Sequence, residues 1–159
     1  MIVRPRQPDD LTACRAVLHG VHLADAYPMR WPADPAGWLL RDGLDTAWVG
    51  ELAGVIAGHI ALRPITDTTA EIVRLFVGPS ARGSGLGRAL LDAAAAHAAG
   101  TGLRAVLDVV DGTGAVAFYE AAGWEFTTIE PALWTAPDGH HPLLRRYAAP
   151  VADRPRARW

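Results

Sequence analysis

Twelve residues, Val77-Gly-Pro-Ser-Ala-Arg-Gly-Ser-Gly-Leu-Gly-Arg88, hold the chain's densest chemical signal. They leave a strand-like run and enter a long helical one. Gly83, Gly85 and Gly87 permit backbone angles closed to other residues and remove side chains that would keep a ligand off the main chain. The first turn of the following helix offers unpaired N–H groups at the positive end of its dipole. Such an arrangement cradles anions, phosphate above all. Arg82 and Arg88 add charge-assisted donors. The dinucleotide fingerprint Gly-x-Gly-x-x-Gly fails here, because Arg88 stands where the third glycine belongs.

Composition narrows the options. All fifteen basic residues are arginine, and the chain has no lysine. A P-loop NTPase, a protein kinase and a pyridoxal enzyme each need a lysine, so those classes are excluded. Net charge is −2, which argues against a nucleic-acid partner held by bulk positive charge. The single cysteine, Cys14, allows no internal disulfide, and its place on an apolar helix face makes it a core residue. The six histidines form no recognisable metal motif: His19 and His22 are not followed by a His-Glu-x-x-His pattern, and His59 lies mid-strand, where a structural role outweighs a catalytic one. No metal is expected. No apolar run reaches the roughly 18–20 residues of a membrane span, and Met1-Ile-Val-Arg-Pro-Arg6 lacks a secretory h-region. The expectation is a soluble cytoplasmic protein with no membrane and no nucleic-acid partner.

At 159 residues, half of them hydrophobic, the chain suits one domain over 1–150 with a short basic tail over 151–159. The pattern predicts a strand over 2–5, a helix capped by Asp9 or Asp10 and running to about Gly20, an irregular Pro-punctuated stretch over 22–33, and a short helix from Asp34-Pro35 carrying Trp38, Leu39 and Leu40. Strands over 46–52 and 55–62 flank Ala53-Gly54 as a hairpin, and 71–77 is a third strand of that group. A helix over 83–99 stops at Gly100, a strand covers 105–110, a helix 113–122, and two last strands 124–129 and 143–148. This is an α/β chain.

Arg82-x-x-Gly85-x-Gly87, after a strand ending Val77-x-Pro79, resembles the acyl-CoA pyrophosphate loop of the Gcn5-related N-acetyltransferase (GNAT) family. Ala115-Val-Ala-Phe118-Tyr119-Glu-Ala-Ala-Gly123-Trp124 resembles a second block of that family, in the right order about thirty residues on. The hairpin over 51–60 also fits, and order and spacing agree over roughly residues 1–148. The resemblance implies a GNAT fold: a mixed, mostly antiparallel, twisted sheet of about seven strands with flanking helices, splayed between its fourth and fifth strands. Acetyl-CoA would lie in that cleft. Backbone N–H groups from Arg82 through Gly83, Ser84, Gly85, Leu86 and Gly87 to Arg88 would hold its pyrophosphate. Leu75, Phe76 and Val77 would pair with its pantetheine arm, and Phe118 would line it. Where many members carry Asn, seven residues before the Tyr, this chain has Gly112 beside Asp111.

The implied reaction is direct transfer of acetyl to a primary amine of a small molecule; the alternatives are a peptide or protein amine, or a non-catalytic acyl-CoA sensor. Tyr119 is the candidate acid for the leaving thiolate. Glu71, six residues before Val77, is the candidate base, with a water relay as the alternative and pairing with Arg63 or Arg74 as its structural reading. The acceptor would enter through the segment between the first two helices and the last hairpin. Asp25, Tyr27, Trp31, Asp34, Trp38 and Trp134 fall there, and acids with aromatics suit a cationic amine. Trp31 and Trp38 also read as core anchors. Family members are often dimers, so a homodimer is a possible partner state.

Overall fold

The computed structural model describes residues 1–41 and 46–151, so all of the expected basic tail but Val151 lies outside the described residues. Seven strands form one sheet: β1 (Ile2–Pro5), β2 (Thr46–Leu52), β3 (Val55–Pro64), β4 (Thr69–Val77), β5 (Arg104–Val110), β6 (Glu125–Pro131) and β7 (Leu143–Ala148). Their order is β1-β2-β3-β4-β5-β7-β6. Every neighbouring pair is antiparallel except β4 and β5, which run parallel. The β2–β3 hairpin turns on Ala53 and Gly54, both at positive φ (51° and 78°), the twist-matched geometry for a two-residue connection.

Among the described residues four α-helices cover the two faces. Helices α1 (Leu11–Asp25) and α2 (Pro35–Leu39) lie on one, and α3 (Leu86–Gly100) and α4 (Gly114–Ala121) on the other. The larger core joins Leu86, Leu90, Leu91 and Ala94 of α3 to Ile60, Leu62, Ile72 and Leu107 of the sheet. The smaller packs Cys14, Leu18 and Val21 of α1 against Leu39, Val49 and Phe76. Gly50 is what lets α3 settle on β2: a β-carbon there would stand 2.4 Å from Leu86 Cδ1. None of the described helices is long and apolar enough to cross a membrane.

Three elements depart from expectation in ways that matter. Helix α1 does not stop near Gly20 but continues to Asp25, because Val21 on the next turn is buried and rewards another turn of helix. It ends at Ala26, φ 54°, whose N–H returns to His22 O. Helix α3 begins at Leu86, not Gly83, since Gly83 and Gly85 sit at φ 77° and 84° and cannot be helical. Strand β4 begins at Thr69, and its pairing with β5 is brief: Thr69, Ala70 and Glu71 face Arg104, Ala105 and Val106, and no pairing follows. Beyond Glu71 the two strands part. The sheet is therefore splayed between its fourth and fifth strands, and among the described residues the β5-facing backbone of the rest of β4 has no strand partner.

Candidate active site

The glycine loop hangs at the open end of that splay. Gly78 N–H donates to Ala57 O at 2.8 Å, and Pro79–Ala81 makes a single 3-10 turn. Ser84 Oγ closes the loop on itself, donating to Ala81 O at 2.5 Å and accepting from Leu86 N–H at 3.3 Å. The first α-helical bond is Ala89 N–H to Gly85 O, 3.1 Å. Among the described residues, the N–H groups of Arg82, Gly83, Gly85, Gly87 and Arg88 meet no acceptor. A β-carbon at Gly83 or Gly85 would find nothing within 4 Å, so the loop is open on the side those two residues present. Gly87 faces Phe118, whose Cζ would lie 3.5 Å from a β-carbon there, so α4 meets the loop at Phe118.

Neither Arg82 nor Arg88 is free. Arg82 forms an ion pair with Asp25 at the C-terminal end of α1, which holds the Asp25 carboxyl below its ordinary range. Arg88 pairs with Asp92 one turn along α3, 3.0 Å. Leu75 and Val77 pack partly buried on the larger core, and Phe76 is buried on the other face, its backbone opposite His59.

Tyr119 is buried in α4 among Phe118, Trp124 and Tyr147. Its hydroxyl has no hydrogen-bond partner among the described residues, whereas the Tyr147 hydroxyl donates to Glu120 at 2.7 Å. Burial pushes the Tyr119 phenol well above its usual range, and the Tyr27 phenol adds to the shift. Tyr27 is itself raised to about 12 by burial, offset in part by Arg74. Tyr27 lies in the α1–α2 segment and Tyr119 on the opposite layer.

Glu71 occupies the last paired position before the splay, opposite Arg63 of β3, and ion-pairs with Arg63 Nη2 at 3.5 Å. The structural reading of Glu71 is thus realised. Trp31 packs against His19 and His22 of α1, with ring centroids 5.1 and 5.4 Å away, and serves the smaller core. Asp34 accepts from Gly37 N–H at 3.1 Å as the cap of α2. Trp134 is exposed on the β6–β7 connection, which Arg30 ties to the α1–α2 segment through Ala136 O at 3.1 Å. Asp111 is engaged by Arg145, 2.6 Å, and Gly112 beside it adopts φ 78°. Cys14 is fully buried and its thiol is pushed up to about 11, which leaves no thiolate for chemistry.

The sequence reading missed Arg74 as a site residue. Strand β4 carries a bulge between the pairs His59–Phe76 and Ala61–Val73, and Arg74 sits in it at φ 56°. The bulge breaks strand alternation and turns the Arg74 side chain onto the α2 face, where Cζ lies 3.8 Å above the Trp38 ring. The signal was in the sequence: Ile72, Leu75 and Val77 all face the larger core, and a spacing of three followed by two betrays an extra residue.

His59 pins this bulge. It is fully buried, stacks on Phe76 at 5.1 Å, and shares hydrogen bonds with Arg74 O (2.8 Å) and Arg6 Nη1 (2.9 Å). An arginine only donates, so Nε2 accepts and Nδ1–H donates to the Arg74 carbonyl. Burial lowers the His59 pKa from 6.5 to about 4. Between those values the unfolded chain binds the extra proton, so stability is complete above pH 6.5 and falls as pH drops toward 4. The loss is at most about 3 kcal/mol. In urea unfolding, His59→Asn, which keeps an N–H donor for Arg74 O, is expected to flatten that slope. An undiminished slope in the variant assigns the acid sensitivity to other groups.

The sequence model of the Acetyltransferase (GNAT) family matches residues 12–124. The chain belongs to that family. A mycothiol acetyltransferase of Geodermatophilus obscurus is 39% identical over 98 residues, covering 57% of this chain and 29% of that protein. The chain therefore spans under a third of the length of this curated relative. Among solved structures, the ribosomal-protein-S18-alanine N-acetyltransferase from Escherichia coli aligns with TM-score 0.75 and 20% identity over 99% of this chain and 98% of its own. An aminoglycoside 6'-N-acetyltransferase complexed with coenzyme A aligns with TM-score 0.75 and 17% identity, over 98% and 99%. These two show a shared fold.

Proposed function

We propose that this protein transfers an acetyl group from acetyl-CoA directly to a primary amine of a small molecule. One observation carries the reading: five backbone N–H groups without an acceptor among the described residues cluster in one glycine loop, at the mouth of a sheet whose fourth strand parts from the fifth after Glu71. An anion fits the first feature and an extended chain fits the second, in the manner of an added strand. Coenzyme A joins a pyrophosphate to an amide-bearing arm, and the residues present suit both parts. The solved aminoglycoside acetyltransferase holds coenzyme A, which supports the same ligand here.

Acetyl-CoA supplies the acetyl group as an activated thioester. Arg82 through Arg88 hold its pyrophosphate with backbone N–H groups, while Leu75, Phe76 and Val77 orient its arm with the free backbone edge of β4. Tyr119 hydrogen-bonds the sulfur as negative charge gathers there. Its raised pKa keeps the phenol protonated, and an ordinary thiol titrates near ~8.5, so Tyr119 acts by donating a hydrogen bond more than by surrendering its proton. Alkylamines have pKa values near ~10, so the acceptor must lose a proton before attack. Glu71, ion-paired yet at the cleft floor, takes that proton through water.

Thiol release from acetyl-CoA, measured across a panel of primary amines, tests the reading. Release with at least one small amine is expected. Tight acetyl-CoA binding with no release from any small amine or N-terminal peptide would leave a sensor module instead.

A further inference from the structure

We propose that the acceptor amine carries a carboxylate and that Arg74 is the residue that selects it, a proposal that rests on the acetyltransferase reading above. The acceptor is thus a free amino acid or a close analogue, not a polycation and not a protein amine.

The argument starts with what Arg74 does not have. Its Nε reaches Trp38 O at 3.4 Å, and its face rests on the Trp38 ring. Among the described residues no carboxylate lies within 4.0 Å of it, and neither Nη atom has an acceptor. Burial disfavours its charge, and the titratable groups that bear on it are Tyr27, Arg41, Arg63 and Glu71. A half-buried guanidinium with two idle donor nitrogens is an incomplete site. Its planar fork matches a carboxylate, which can take both Nη donors at once.

Position supports the same conclusion. The guanidinium stands on the α2 face of β4, the face that also bears Glu71 and, across the cleft, the Tyr27 phenol. Both poles of a zwitterion then have a counterpart: carboxylate to Arg74, amine toward Glu71, whose tie to Arg63 at 3.5 Å is looser than that of Asp25 to Arg82. The pedestal is rigid. A non-glycine residue at positive φ costs on the order of 1 kcal/mol, and buried His59 holds the Arg74 carbonyl in place. The expectation of a cationic acceptor loses its supports in turn. Trp38 already has a cation on its face, Asp25 is taken by Arg82, and Asp34 caps α2.

The test compares the free L-amino acids with their methyl esters as acceptors in the thiol-release assay. For wild type, KM for the preferred amino acid is expected to lie at least tenfold below that of its ester. Arg74→Asn suits the left-handed backbone, and it should raise KM for the amino acid tenfold or more, leave the ester within twofold, and leave the acetyl-CoA Kd unchanged. Arg74→Lys keeps charge but not the fork and should fall between; it also serves if the Asn variant does not fold. Equal KM values for acid and ester, or equal losses on both in the variants, overturn the proposal while the transferase reading stands. Binding separates the two claims further. N-acetyl amino acids titrated into the CoA-loaded protein should give heat with wild type and at least tenfold weaker binding with Arg74→Asn, whether or not any turnover is seen. No heat with wild type overturns the proposal on its own.

Discussion

Tyr119→Phe is expected to lower turnover tenfold or more while the acetyl-CoA Kd stays within about twofold. The substitution removes one oxygen and keeps the ring among Phe118, Trp124 and Tyr147, so packing is retained. The lost atom has no hydrogen-bond partner among the described residues, so the free protein forfeits no internal bond. An interaction absent from the resting enzyme and needed only as charge develops should appear in kcat and hardly in binding. One well-placed donor to developing charge contributes on the order of 10²–10³-fold. An unchanged kcat would falsify the role. The raised phenol pKa adds a second reading: no loss of activity from Tyr119 ionisation should occur near pH 10, where an unperturbed tyrosine titrates. The sign follows from burial, which disfavours phenolate and holds the donor protonated to higher pH.

The elements and the ligand loop were legible in the sequence because their signals are local. Alternation marks β2, β3 and β4, Ala53-Gly54 marks the hairpin, and the glycines over 83–87 mark a backbone site. What escaped depends on contacts between distant segments. Nothing near Gly20 says that Val21 will be buried by the sheet, so α1 was cut short. Arg82 reads as a free phosphate ligand until α1 reaches far enough to bring Asp25 to it. Arg74 reads as a surface arginine until the bulge aims it at Trp38, 36 residues away in sequence. The bulge itself left a trace in apolar spacing, but the anchoring of that bulge by His59 and Arg6 left none.

These long-range features act together at one place. Pairing of β4 with β5 ends at Glu71, the open backbone edge begins just after it, and the bulge at Arg74 lies within that open stretch. A single strand thus presents a carboxylate, a guanidinium and free peptide groups in seven residues. The splay opens the sheet between the layer that holds Tyr27 and the layer that holds Tyr119. Flanking ion pairs of Arg145 with Asp111 and of Arg146 with Asp108 fix β7 onto β5, the far wall of that gap.

Gly85→Val should weaken acetyl-CoA binding at least 100-fold with the fold intact. Gly85 lies at φ 84°, and a β-carbon there meets nothing within 4 Å, so the protein itself has room for a side chain. The cost falls in two places. A β-branched residue at positive φ loses on the order of 1–2 kcal/mol and relaxes the loop away from its left-handed turn. The new methyl groups then stand in front of the amides that would meet the pyrophosphate, and each buried N–H–phosphate bond is charge-assisted and strong. A Kd raised at least 100-fold is the expected result by calorimetry. Thermal shift reads the same change independently. Ligand at 100 times the wild-type Kd stabilises by about 2.7 kcal/mol, and a 100-fold weaker variant gains only about 0.4 kcal/mol at that concentration. Gly85→Ala, with one methyl and less strain, should lie between. If Gly85→Val folds and binds acetyl-CoA as wild type does, the pyrophosphate is held elsewhere and the glycine loop is only a turn.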